Sequence, residues 1–205
     1  MNTKTISFIT GNQNKVIELQ NIINNKIDNL VIKSCKIDLP ELQGDPEYIA
    51  SEKCKLASCK IDGPVLIEDT SLCFNALEGL PGPYIKCFLD KIGLIGLNKL
   101  LFPYEDKSAY SQTIFAYTKG KGEQIHLFVG RLNGQIVLPR GNLGFGWDPI
   151  FQPCDQCTNN HNHNHNHQQQ YQTFGEMEES KKNSISHRYI ALQKFIEYCK
   201  RNKNI

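Results

Sequence analysis

The run Pro64-Val65-Leu66-Ile67 is wholly apolar and ends abruptly in two carboxylates, Glu68-Asp69, followed by Thr70-Ser71. A segment this short and this apolar reads as a central strand, which already asks for a sheet with layers around it. Adjacent carboxylates leaving such a strand suit a divalent cation better than a core. Mg²⁺ prefers carboxylate oxygens and usually reaches a protein through one or two of them plus substrate phosphates. Downstream, Leu80-Pro81-Gly82-Pro83-Tyr84-Ile85-Lys86 forms a stiff loop that delivers a lysine. Taken alone, the pair is equally compatible with an ordinary solvated strand end.

The surrounding pattern supplies the layers. Thr5–Thr10 alternates and is rich in β-branched residues, so it reads as a strand, and Gly11-Asn12 turns the chain. Val16, Leu19, Ile22 and Ile23 then recur at helical spacing, predicting a helix from about 13 to 25. A strand is expected at Leu30–Cys35. Asp45-Pro46 opens a helix reaching about Lys60, the proline at its first helical position. Phe88–Leu101 reads as a helix with Leu89, Ile92, Leu97, Leu100 and Leu101 on its apolar side. Beyond it, Ala109–Thr118 and Gln124–Arg131 read as strands joined by a hairpin turn at Lys119–Gly122, with a third short strand at Gly134–Leu138. Ser186 caps a last helix whose inward positions include Ile190, Ala191, Phe195 and Tyr198. Interleaved helices and strands, a β-rich half and a closing helix give an α/β fold with a mixed sheet.

Composition narrows the function classes. A net charge of +2 over 205 residues is too near balance to argue for nucleic acid or an anionic membrane as partner. No apolar run approaches the roughly 18 residues of a membrane span, and the first residues do not resemble a signal sequence. The expectation is a cytoplasmic protein. Eight cysteines, spread singly through apolar or helical patterns, then read as mostly small buried hydrophobes rather than disulfide partners. One stretch stands apart: about 154–172 holds Cys154-x-x-Cys157 and an Asn/His/Gln tract with no apolar periodicity. It reads as a disordered surface insertion in a single 1–205 domain. The alternating histidines beside the CxxC invite a zinc reading, but the repetitive filler argues for simple-sequence expansion.

Three segments add chemistry to the carboxylate pair. Thr10, Gly11, Asn12, Gln13, Asn14 and Lys15 place backbone N–H groups and a helix N-terminus at one point, an arrangement that attracts anions. Gly144-Phe145-Gly146-Trp147-Asp148-Pro149 alternates glycines with aromatics and holds the only tryptophan, which suits stacking on a nucleobase, with one ring free to be core instead. Ser186-His187-Arg188 sets cations in the first turn of a helix, where the dipole disfavours them. They are expected to serve an electronegative group, with Lys181-Lys182 just upstream.

In order along the chain, T-G-N-x-x-K (Thr10–Lys15), D-L-P-E (Asp38–Glu41), E-D-T-S-L (Glu68–Leu72), G-L-P-G-P-Y-I-K (Gly79–Lys86), F-G-W-D-P (Phe145–Pro149) and S-H-R (Ser186–Arg188) resemble the inosine triphosphate pyrophosphatases. The resemblance runs from about Ile6 to Tyr198. It implies a non-P-loop α/β fold with an elongated mixed sheet, flanking helices, two lobes around a central cleft, and a homodimer. It also implies Mg²⁺-dependent hydrolysis of ITP, dITP and XTP to the monophosphate and pyrophosphate, with one divalent ion per site and Mn²⁺ as a substitute. Such an activity clears these nucleotides before they enter DNA or RNA. Carried over by motif, Thr10–Lys15, Lys53 and Lys86 meet phosphates, and Asp69, Lys15 and Lys53 are catalytic. Glu41, Asp69 and Glu68 are the metal carboxylates. Thr70, Phe145, Gly146, Trp147, Asp148, Lys182, His187 and Arg188 complete the substrate site. Asp69 is expected to orient or deprotonate the attacking water, and Arg188 to read the purine 6-carbonyl. The competing reading is a catalytically silent binding module dominated by the His/Asn tract.

Overall fold

Alternation in Lys4–Ile9 (β1) sends Ile6 and Phe8 to one face of a sheet and Ile9 to the other, and all three are buried. The computed structural model describes residues 4–24, 26–154 and 171–202. The His/Asn/Gln tract and Cys157 lie outside these residues. After β1 come Gln13–Ile23 (α1), Leu30–Cys35 (β2), Pro46–Ser58 (α2), Val65–Phe74 (β3), Pro81–Gly82 (β4) and Ile85–Leu100 (α3). The chain continues through Ser108–Thr118 (β5), His126–Ile136 (β6), Phe151–Pro153 (β7), Glu179–Ile185 (α4) and His187–Arg201 (α5). Among the described residues seven strands form one mixed sheet in the order β2-β1-β3-β5-β6-β7, with β4 paired to β3. β1 runs parallel to both β2 and β3, whereas β3–β4 and β6–β7 are antiparallel.

By contacts the chain divides into two compact units. The first holds Met1–Thr70, Gln112–Arg131 and Asn183–Ile205; the second holds Ser71–Ser111 and Leu132–Lys182. In the first unit the sheet is buried on both faces. On one, Ile6, Phe8, Leu66, Phe115 and Tyr117 pack with Val16, Leu19 and Ile22 of α1 and with Leu192 and Phe195 of α5. On the other, Ile9, Val65, Ile67, Ile114 and Ala116 pack with Ala50, Cys54 and Ala57 of α2. Two-sided burial is why Val65–Ile67 is apolar without alternation.

Four expectations need correction. β3 does not stop near Glu68 but runs on to Phe74, because Thr70 is β-branched and Leu72, Cys73 and Phe74 are buried; Leu72 and Cys73 pair with Gly82 and Pro81. The strand expected at 134–138 is the continuation of β6, whose pairing with β7 proceeds through Gly134↔Pro153. α3 starts at Ile85, with non-helical backbone at Gly93, and leaves Ile92 exposed while Leu97 is buried. Among the cysteines, Cys54, Cys73 and Cys199 are buried, but Cys59, Cys87 and Cys154 are exposed. Among the described residues no helix is long and apolar enough to cross a membrane.

Candidate active site

Successive side chains of a strand point to opposite faces, and because β3 continues through the acidic pair, Glu68 and Asp69 part company. Glu68 shares the face of Leu66, toward α1 and α5. Asp69 shares the face of Val65 and Ile67, toward α2. Their fates differ accordingly.

Glu68 is fully enclosed. Arg188 Nη2 donates to its Oε1 at 2.7 Å and Arg188 Nε to its Oε2 at 3.2 Å. Thr70 Oγ1 donates to Oε1 at 2.8 Å, and Lys15 Nζ stands 3.3 Å from the same oxygen. Burial pushes the Glu68 carboxyl up, but Arg188 and Lys15 outweigh it and hold the group well below the usual carboxylate range. Arg188, 2% exposed, spends its remaining fork nitrogen on Glu18 of α1. Burial lowers its proton affinity, and the two carboxylates more than restore it. Both oxygens of Glu68 are thus engaged by protein donors, those of Arg188, Thr70 and Lys15. In this structure the electronegative partner of the cation in the first turn of α5 is the Glu68–Glu18 pair. His187 beside it is buried.

Asp69 has a different environment. Lys53 of α2 donates to its Oδ1 at 2.9 Å and lies 3.6 Å from Glu41 Oε2, on the stretch between β2 and α2. Asp69 Oδ2 is buried with no hydrogen-bond partner among the described residues. Glu41 is 84% exposed. Two carboxylates thus converge on one ammonium, one of them with a desolvated oxygen left over.

The glycine turn is more self-contained than its sequence suggests. Asn12 Oδ1 accepts from the amides of Asn14 and Lys15 at 3.0 and 3.3 Å, and Thr10 Oγ1 accepts from Asn12 N at 3.1 Å. Those amides, expected to be open to phosphate, are used to cap α1, as an N-cap asparagine does. What projects from the turn is Lys15, held by Glu68, with Gly11, Asn12, Gln13 and Asn14 exposed around it. The whole group sits where the parallel strands β1, β2 and β3 give way to loops or polar residues, the carboxyl ends at which open α/β sheets bind ligands.

The second unit holds the remaining candidates. Asp148 is buried; its Oδ2 accepts from Lys182 Nζ and from Phe145 N, each at 2.7 Å. Gly144, at φ 73, passes so close to that carboxylate that only a residue without Cβ fits. Lys182 Nζ lies 4.7 Å from the Phe145 ring centroid and 5.5 Å from that of Phe174. Trp147 is buried edge-on against Phe151, with ring centroids 5.6 Å apart, and tilts over Phe174. Its indole packs on these rings, as the sequence allowed for one of the two aromatics, whereas Phe145 is half-buried beside exposed Gly146. Lys86 is exposed in the first turn of α3.

Comparison with known proteins assigns this arrangement to a lineage. A profile of the Ham1 family matches residues 6–198. The chain belongs to the Ham1 family. Solved Ham1 structures share its fold: a HAM1 protein from Coxiella burnetii is 23% identical with a TM-score of 0.79, covering 97% of this chain and 99% of its own. The Staphylococcus aureus Ham1 protein is 22% identical with a TM-score of 0.75 and the same coverage. A nucleoside-triphosphatase described as a dITP/XTP pyrophosphatase, from Mycobacterium abscessus, is 22% identical with a TM-score of 0.68, covering 94% of this chain and 97% of its own.

Within this Ham1 chain, Asp69 and Glu41 are the side chains that fit a divalent cation. Oδ2 of Asp69 is an orphaned buried oxygen, and Lys53 shows that the pair accepts positive charge between them. Among the described residues no three His, Cys, Asp or Glu gather as a metal cage. Glu18 is the residue sequence reasoning missed. Its signal was present: an acid three places after Lys15, on the side of α1 that carries Val16, Leu19 and Ile22.

Proposed function

We propose that this Ham1 protein hydrolyses non-standard purine nucleoside triphosphates, ITP, dITP and XTP, to the monophosphate and pyrophosphate, clearing them from the nucleotide pool. The observation that carries the reading is Asp69, with Oδ1 fixed by Lys53 and Oδ2 buried and unspent. A carboxylate so held is oriented to take a proton from water. The water oxygen then bonds to the α-phosphorus, the bridging oxygen to the β-phosphorus departs with its electrons, and pyrophosphate leaves. Lys53 and Lys15 offset the negative charge that grows along the leaving chain. A Mg²⁺, or Mn²⁺, held by Asp69 and Glu41 would supply further neutralisation of the polyphosphate.

Base choice is assigned to Phe145 as the stacking ring and to the Lys182 donor. Inosine and xanthine present a 6-carbonyl acceptor where adenine presents an amino donor. An adenine amino group facing a buried donor costs about 1–3 kcal/mol, enough to bias turnover strongly. A homodimer belongs to the same proposal, tested by sedimentation of the full chain. The direct test incubates the protein with Mg²⁺ and, separately, ITP, XTP, ATP and GTP, following pyrophosphate against orthophosphate. Pyrophosphate from ITP and XTP and not from ATP is expected, with GTP, which shares the 6-carbonyl, reporting whether the 2-amino position is also read. Orthophosphate, or no turnover, overturns the reading.

A further inference from the structure

The chain leaves the described structure at Cys154, one residue after β7, and re-enters at Tyr171. Arg140 bonds to both sides of that gap. Its Nη2 donates to Gln152 Oε1 at 2.7 Å, on the departing strand, and to the Tyr171 carbonyl at 3.0 Å, on the returning segment. Its Nε lies 3.4 Å from Glu176 Oε2, which also accepts from Thr173 N at 2.9 Å. The backbone of Arg140 joins in: its amide donates to the Pro149 carbonyl at 2.9 Å, and its carbonyl accepts from Thr173 Oγ1 at 2.9 Å.

The returning segment then becomes the floor beneath the candidate base-reading group. Gly175 N donates to the Asp148 carbonyl, Leu143 N donates to the Gly175 carbonyl, and Phe174 N donates to the Phe151 carbonyl, at 2.8–3.0 Å. The Phe174 ring lies under Lys182 and against Trp147. Asp148 and Lys182 are thus set by residues 173–175, and residues 173–175 are set by Arg140.

We propose that Arg140 is a positioning residue: it clamps the two ends of the 155–170 segment and so holds the Thr173–Gly175 floor that places Phe145, Asp148 and Lys182 for the purine. The role rests on the activity proposed above. A planar fork that reaches two acceptors from one nitrogen and a carboxylate from another is specific to arginine, so lysine is no equivalent here. Gln152, Tyr171, Thr173 and Glu176 have no direct part in the chemistry; they transmit position.

Trp147, the only tryptophan, packs on this floor and makes the test possible without turnover. In full-length Arg140→Ala, acrylamide quenching of Trp147 emission should rise clearly over wild type. KM for ITP should rise about tenfold with kcat within about twofold, the split expected when placement rather than chemistry is lost. Arg140→Lys should recover little of either, and Glu176→Gln should shift both readouts in the same direction by less. Should Arg140→Ala not fold, Glu176→Gln and Arg140→Lys still carry the test. Unchanged quenching in those variants overturns the clamp, as does a loss confined to kcat. Failure of wild type to release pyrophosphate from ITP refutes the activity instead, leaving the quenching result to judge the clamp.

Discussion

Two neighbouring acids on one strand do opposite jobs because a strand alternates. Asp69 keeps a buried oxygen without a hydrogen-bond partner among the described residues, so Asp69→Asn should lower kcat by about 10²–10⁴-fold, the range of a lost general base. Circular dichroism and the urea midpoint should stay close to wild type; a near-normal kcat would remove Asp69 from the chemistry. Glu68 instead answers to stability. Its folded-state proton affinity lies far below the ordinary value of 4.5, so at acid pH the unfolded chain binds a proton that the folded chain refuses. The stabilisation is whole above about pH 4.5 and is lost progressively as pH falls toward the folded-state value. Urea midpoints measured from pH 7 downward should therefore fall below pH 4.5, and less steeply in Glu68→Gln. Arg188→Ala strands two buried carboxylates and should cost about 3–5 kcal/mol in the same assay. A cost under about 1 kcal/mol would contradict the enclosure described for this group.

Elements bring these residues together, and they differ in how openly the sequence shows them. β1, α1, β2 and α2 follow from period and punctuation: Gly11-Asn12 ends β1, and Asp45-Pro46 starts α2. The length of β3 was hidden, because Glu68-Asp69 looks like the end of an apolar run unless the strand is followed through Thr70 to Phe74. Read as one strand, the same residues disclose that Glu68 and Asp69 face opposite layers. Arg188 could be recognised as misplaced at a helix start, but its partners, Glu18 and Glu68, are set by tertiary contact that local pattern does not carry. For a related reason the sequence left open which of Phe145 and Trp147 is core, since an aromatic beside glycine reads alike whether it faces ligand or core. The approach of β6 to α5 is equally silent in sequence. Gly130 lets the His187 carbonyl and Ala191 amide come so near that a Cβ would overlap them. Gly130→Ala should lower the melting temperature by several degrees, about 2–4 °C per kcal/mol lost at this length. An unchanged melting temperature would mean the two elements have room to part.

For the molecule as a whole, thiol chemistry gives an independent check on the layers. Burial pushes Cys54 and Cys199 up to about 12, whereas Cys59, Cys87 and Cys154 are exposed. Brief alkylation near pH 8 followed by peptide mapping should mark the exposed three and spare Cys54 and Cys199, since the thiolate is the reacting form. Equal labelling would contradict the packing of α2 and α5 on the sheet. Deleting 158–170 should leave pyrophosphate release intact, because Arg140 bonds on both sides of the cut; loss of activity would favour a metal module instead. The Glu68–Arg188 pair also has a bearing on how the chain is born. The two partners lie 120 residues apart, so at about 5–20 residues per second the ribosome needs about 6–24 s to supply the guanidinium after it has supplied the acid. Through that interval Glu68 has only Lys15 and Thr70, of the partners that enclose it, to answer its charge, and a chain broken before Arg188 stays in that state.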